Sequence, residues 1–250
     1  MIRTLLIITG ASLVLCVAAI GGAAAVGGND LARHGWTWSF PDDGETHTVH
    51  FERGDDGPAV TRTLAWTGGD RLQVEIPGDV AYVQGATPSV VVTGQKALVD
   101  KIRVVDGRLT WDDADHHNDH VVFGWNVHDR LRVVVTAPSV KTFEVESSAD
   151  LSIHDYDQPT LALTVSGSGD VDITGKTEVT TLDISGSGDA DLGALTTTDA
   201  NVTLSGSGDV RVGPTGSAKI DVSGSGDVDL TKRPAKLEQD LSGSGDINQD

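Results

Sequence analysis

The sequence predicts an all-β chain folded as a right-handed parallel β-helix, or β-solenoid, with coils of about 19 residues and one hydrophobic helix ahead of it. Three observations carry that expectation. The pentapeptide SGSGD occurs five times, starting at Ser166, Ser185, Ser205, Ser223 and Ser242, so that successive copies stand 19, 20, 18 and 19 residues apart. Aliphatic residues recur at fixed offsets on both sides of each copy. After residue 30 the chain shows short β-type runs such as RLQVEIP, SVVVTG, IRVVDGRLTW and LRVVVTAP, bounded by Gly, Pro and Asp, and no amphipathic helical period.

Aligned on the first Ser, the repeats place Leu163, Leu182, Val202 and Ile220 three residues before it and Val165, Ile184, Leu204, Val222 and Leu241 one before. Val171, Ala190, Val210, Val228 and Ile247 stand five after, and Ile173, Leu192, Val212 and Leu230 seven after. Such period-2 alternation predicts a strand on each side of a Gly-Ser corner, with the aliphatic columns inside and Thr164, Asp183, Thr203 and Asp221 outside. At roughly 3.3 Å per residue one repeat spans about 63 Å, the perimeter of a small coil with two or three faces. Further corners are expected at Gly175, Gly193 and Gly213, with Lys232-Arg233-Pro234 in the equivalent place of the fourth repeat. The segment VESSADLSI at 145–153 reads as a degenerate earlier coil, because Asp150 precedes Asp170 by one 20-residue step.

Domain organisation follows from composition. Residues 1–26 form a signal peptide or membrane anchor: Leu5 to Val26 carries no charge, Arg3 precedes it, Asp30 follows it, and Ala23-Ala24-Ala25 offers a cleavage site. As a helix those 22 residues would measure about 33 Å, enough to cross a hydrocarbon core of about 30 Å. Both alternatives export the remainder. The only cysteine, Cys16, lies in this segment, so the exported part has no disulfide. Residues 27–61 read as a linker with room for one short strand. Residues 62–250 form the solenoid, irregular over 62–144 and regular over 145–250. The aromatic residues all fall between Trp36 and Tyr156, and Trp66, Trp111, Phe123 and Trp125 are expected to close the N-terminal end. At the other end TKRPAKLEQDL places Lys232, Arg233, Pro234, Lys236, Glu238 and Asp240 where an open coil would invite strand pairing, and Gln239 and Gln249 interrupt two aliphatic columns.

The recurrent V-S-G-S-G-D-V pattern, preceded by RLQVEIPGDV and VVDGRLTW and by an N-terminal hydrophobic segment, resembles the bacterial head GIN domain, the head of autotransporter adhesins. The likeness runs over roughly residues 62 to 250. It implies a parallel β-helix in the bacterial cell envelope, with no established enzymatic activity; the chain shows no autotransporter barrel, which points to the periplasm.

A formal net charge of −19 excludes nucleic acid and anionic membrane surface as partners, since both demand a basic footprint. Membrane contact is expected only through the N-terminal segment. Two groups of side chains invite a metal. Asp170, Asp189, Asp209, Asp227 and Asp246 should stack as a column on which calcium could sit, although stacked calcium nonapeptides carry two such turns per coil and a spacer between Gly and Asp that SGSGD lacks. The favoured expectation is an exposed corner, in which glycine supplies positive φ while Ser and Asp bond local amides. The second group lies in WDDADHHNDH, where His116, His117 and His120 beside four acids could hold zinc; a solvated loop is the competing expectation. The SGSGD loop leads into no helix and carries no Lys, so it is no phosphate loop. Catalysis finds no base near the repeats, as no histidine follows His154. No cofactor is expected. The sequence therefore points to an exported envelope module for binding, adhesion or structure, with an unidentified envelope or surface ligand. The alternative is a carbohydrate-active β-helix enzyme, which would show acids, bases and aromatics clustered in a groove on one face.

Overall fold

The computed structural model describes residues 36–42, 45–51, 59–112 and 131–249. It contains two compact units, one spanning residues 1–56 with 114–128 and the other residues 57–113 with 129–250. In the first, Trp36–Asp42 and Glu45–Phe51 pair antiparallel, within the stretch expected as a linker. The second is the solenoid. The hydrophobic run Leu5 to Val26 lies outside the described residues, among which no helix is long and apolar enough to cross a membrane.

The solenoid has two faces. One is a ten-stranded sheet and the other a nine-stranded sheet, with each regular coil contributing one strand to each. Stacking is parallel and in register: Leu163 pairs with Leu182, Leu182 with Val202, and Val202 with Ile220 on one face, while Val171 pairs with Ala190, Ala190 with Val210, and Val210 with Val228 on the other. Burial alternates as the sequence pattern requires. Strand Asp199–Leu204 buries Ala200, Val202 and Leu204 and exposes Asn201 and Thr203. These columns meet across about 10 Å, the ordinary spacing of packed sheets. VESSADLSI forms an earlier coil as expected, with Leu151 paired to Val171 and Ile153 to Ile173.

The corners differ from expectation in two ways. Among the described residues the glycines with positive φ are Gly78, Gly107 and Gly175, so those of SGSGD do not serve by their left-handed conformation. They serve by size: a Cβ on Gly206 would stand 1.8 Å from the Gly186 carbonyl oxygen and one on Gly208 2.0 Å from that of Gly188. The coils come this close because the corner itself is laddered. The Ser205 N–H donates to the Ile184 carbonyl (2.8 Å) and the Ser207 N–H to the Gly186 carbonyl (3.0 Å). At Gly175, Gly193 and Gly213 the chain does not turn but continues as strand, through Val171–Lys176, Ala190–Thr197 and Val210–Pro214, with register shifts along the way. The second bend comes a few residues later, where the buried Thr177 and Thr197 hydroxyls bridge it by donating to the carbonyls of Val179 (3.4 Å) and Asp199 (3.0 Å).

The N-terminal part is built on another plan. Strands Arg71–Val74 and Gly78–Gln84 make one coil whose successor begins only at Thr142, so that Gly78 pairs with Ala149 across 71 residues of sequence. The described parts of the intervening chain fold back to cap the stack. Ser89–Gly94 and Arg132–Ala137 pair antiparallel, as do Ile102–Val105 and Arg108–Trp111, and one helical turn, Lys96–Val99, lies between these segments. The second pair turns through Asp106 (φ 50°) and Gly107 (φ 82°), the two positive values a tight hairpin needs. Trp66 and Trp111 pack against the core from this end as anticipated, whereas Phe123 and Trp125 lie outside the described residues. Among the described residues the fully buried aromatics are Tyr82, Phe143 and Tyr156, with Phe143 edge-on to both tyrosines at ring separations of 5.2 and 6.1 Å. Their hydroxyls are satisfied by the carbonyls of Ala137, Thr160 and Val140.

At the C-terminal end Lys236–Leu241 and Ile247–Gln249 are the edge strands, and Leu237 and Leu241 are exposed there. Charge on the edge is carried by Lys236, Glu238 and Asp240 within that strand, with Lys232 and Arg233 exposed on the bend before it.

Candidate functional site

Each SGSGD corner delivers its aspartate to the same place, at the entry to a strand of the ten-stranded sheet. One oxygen of each carboxylate except that of the last coil then accepts the amide of the aspartate one coil later. Asp150 Oδ1 accepts from the Asp170 N–H (3.2 Å), Asp170 from Asp189 (3.0 Å), Asp189 from Asp209 (2.8 Å), Asp209 from Asp227 (2.9 Å) and Asp227 from Asp246 (2.7 Å). The backbone carbonyls bond the opposite way: Asp209 accepts from the Ala190 N–H (2.9 Å) and Asp227 from the Val210 N–H (2.8 Å). The local turn bonds expected of these aspartates are thus replaced by rungs from coil to coil. Each rung satisfies an amide that the sheet ladder has not yet reached, a charge-assisted bond of the stronger kind.

The five predicted aspartates are brought together, and two more belong with them. Asp150 is the rung of the degenerate coil, and Asp79 pairs in register with Asp150. Asp79 was legible in principle, because Gly78-Asp79-Val80 repeats the Gly169-Asp170-Val171 triplet; the 71-residue excursion hid its period. Two residues beyond each rung stands a second outward column, Ser152, Asp172, Asp191, Arg211 and Asp229. Between the columns runs an open groove of 680 Å³ reaching from Asp79 and Arg132 at the cap to Asp229. It crosses seven strands, about 29 Å at 4.8 Å per coil. Arg211 lies across it, bonded to Asp191 at 3.3 Å, while Asp191 also accepts the Gly193 N–H at 2.9 Å.

This surface is acidic and periodic. In water, unit charges about 4.8 Å apart repel by roughly 0.9 kcal/mol before screening, which exposed carboxylates tolerate and which an approaching cationic group relieves. None of the residues lining the groove is aromatic. Among the described residues no three His, Cys, Asp or Glu side chains gather into a metal-holding group, and His116, His117 and His120 lie outside those residues. The serines and glycines of the corners form a second, shallower depression of 430 Å³ beside the aspartate column.

The fold recurs in solved structures. A putative adhesin from Bacteroides fragilis superposes with a TM-score of 0.59 at 18% identity, over 78% of this chain and 98% of its own. A putative lipid binding protein from Parabacteroides distasonis superposes with a TM-score of 0.51 at 15% identity, over 80% of this chain and 99% of its own. At such identities the likeness is one of fold. No curated protein matches the chain in sequence. A family model described as "Putative auto-transporter adhesin, head GIN domain" matches residues 70–234, which span the first coil, its excursion and the first four SGSGD copies, and the chain belongs to that family.

Proposed function

We propose that the protein is an exported module of the bacterial cell envelope that binds an extended, positively charged ligand along the aspartate groove. The observation that carries this reading is the groove itself, a strip of 680 Å³ in which carboxylates repeat from coil to coil. A periodic line of charge favours a ligand whose own charges repeat, because each added contact is gained at high effective concentration. Family membership and the adhesin among the structural relatives support a binding role outside the cytoplasm. The segment Leu5 to Val26 supplies the export signal or the tether. The lipid binding named for one relative finds no support in the described residues: the space between the sheets is filled by the aliphatic columns, and carboxylates recur along the open groove. For the carbohydrate-active alternative the groove offers acids with Arg132 and Arg211 but no aromatic platform.

The test is a titration of the full chain with pentalysine as a probe. Asp189→Asn with Asp209→Asn should weaken binding several-fold, whereas Asp183→Asn with Asp221→Asn, which removes the same charge from the opposite face, should leave it nearly unchanged. Equal losses in the two double variants would reduce the effect to net charge and remove the groove from the account.

A further inference from the structure

The opposite sheet carries a cavity of different chemistry close to the cap. Its volume is 510 Å³, and its lining comes from strand Arg71–Val74 with Glu75, from the neighbouring strand Arg108–Trp111, and from the hairpin tip at Val105 and Asp106. At its centre lies Gln73, an outward-facing residue that is nevertheless only 7% exposed. The Gln73 amide is fully engaged: its oxygen accepts from Arg71 (3.2 Å), and its nitrogen donates to Glu75 (3.0 Å) and to Glu146 (3.0 Å). Arg71 also pairs with Glu144, and Arg108 pairs through Nε with Glu75 at 3.2 Å.

This network holds two guanidinium groups, each with a side chain 52% exposed, in fixed positions beside carboxylates. The wall opposite is equally fixed, since the Asp106 N–H is held by the Thr67 hydroxyl (3.0 Å) and the hairpin turns through two positive φ values. Charges in and around the cavity are Arg71 and Arg108 against Glu75, Asp106, Glu144 and Glu146. A free anion meets an excess of carboxylate, and a simple cation finds Glu144 and Glu75 already paired with Arg71 and Arg108, so neither is favoured. A ligand with adjacent hydroxyl groups donates to the carboxylates and accepts from the guanidinium edges at once. Val105, 55% exposed at the rim, supplies an apolar contact for the C–H face of a sugar ring.

We infer that this cavity is a second binding site, separate from the aspartate groove, and that its ligand is a neutral saccharide of one to three residues or the end of a longer neutral glycan. Prior fixation of the polar groups lowers the ordering cost of binding, which matters most for a small hydrophilic ligand.

The experiment is titration of the full chain, by ligand-observed magnetic resonance, with neutral trisaccharides of glucose and of N-acetylglucosamine, alongside the corresponding free monosaccharides. Saturable binding of at least one trisaccharide is expected. Arg108→Gln should weaken it roughly tenfold, the loss of one charge-assisted contact. The Arg108 side chain is 52% exposed, and retention of the wild-type melting temperature would show that the fold is intact. Asp209→Asn should leave saccharide binding unchanged, so failure here and failure of the groove are separable. Tighter binding of the trisaccharide than of the monosaccharide would identify a glycan chain as the source, and equal affinity a free sugar. Absence of saturable binding by every sugar up to about 10 mM, or binding that Arg108→Gln leaves intact, would overturn the inference.

Discussion

Between Ala149 and Gln249 each strand rests on its predecessor in parallel register, whereas between Val60 and Val145 antiparallel pairs, a helical turn and a 71-residue step intervene. The stacking regions also differ in what holds them. Most regular coils have bare aliphatic columns, laddered glycine corners and aspartate rungs, while the cap side has the buried Tyr82–Phe143 pair, a fixed hairpin and ion pairs that meet around Gln73. A repeat constrains every residue that faces its neighbour above and below, so most stacked inward positions stay aliphatic while chemical class changes at outward positions such as Asp191 and Arg211. The cap has no such obligation, and there the chain assembles a local, aperiodic cavity. Periodic surface suits an extended ligand; aperiodic surface suits a compact one.

The largest contrast should come from glycine. Gly206→Ala drives a methyl into the Gly186 carbonyl and is expected to cost about 3 kcal/mol or more, while Gly69→Ala, which meets nothing within 4 Å in the cap, should stay within about 0.5 kcal/mol. Denaturant titration measures both, and similar costs would erase the distinction between the regions. Next in size is a contrast within one column. Leu204→Ala in the middle of the stack should cost about 2–5 kcal/mol, against about 1 kcal/mol or less for Leu241→Ala, which is 45% exposed on the last coil.

A smaller effect concerns calcium. If the aspartates serve as rungs, calcium should raise the melting temperature no more than sodium at equal ionic strength, since screening of exposed charges is weak. A calcium-specific rise that Asp209→Asn diminishes would show an ion bridging the coils. The smallest effect lies at Asp199, whose carboxyl is held below the usual carboxylate range by the Ser217 hydroxyl and then by the Ser217 N–H. A depressed folded pKa stabilises above the ordinary value near 3.9 and loses that stabilisation as pH falls through the folded one. Ser217→Ala should raise the Asp199 midpoint and narrow that acidic window, as side-chain magnetic resonance titration would register.

The coils and their columns were legible because the sequence states them five times over, and the degenerate coil at 145–153 could be found by counting back from Asp170. The first coil was not, because its partner strands stand 71 residues away, so only the Gly78-Asp79-Val80 triplet remained as a trace. The bends at Gly175, Gly193 and Gly213 were misplaced because glycine was read as a turn former where the strand passes through it. The role of the SGSGD glycines was missed for a related reason: contact between one coil and the next is not encoded within a single coil. Likewise Gln73, Glu75 and Arg108 carry no motif, and only the cap places them side by side.

The central claim is that SGSGD is a stacking device, with each aspartate carboxylate bonding the aspartate amide of the following coil. Amide hydrogen exchange at Asp227 tests it most directly, because its N–H donates to Asp209 Oδ1 at 2.9 Å. In Asp209→Ala the Asp227 amide should exchange faster by roughly tenfold, while Asp209→Asn, which keeps an acceptor oxygen, should preserve most of the protection and leave the Ile220 and Val222 amides of the opposite sheet unchanged. Unaltered exchange at Asp227 in Asp209→Ala would contradict the claim.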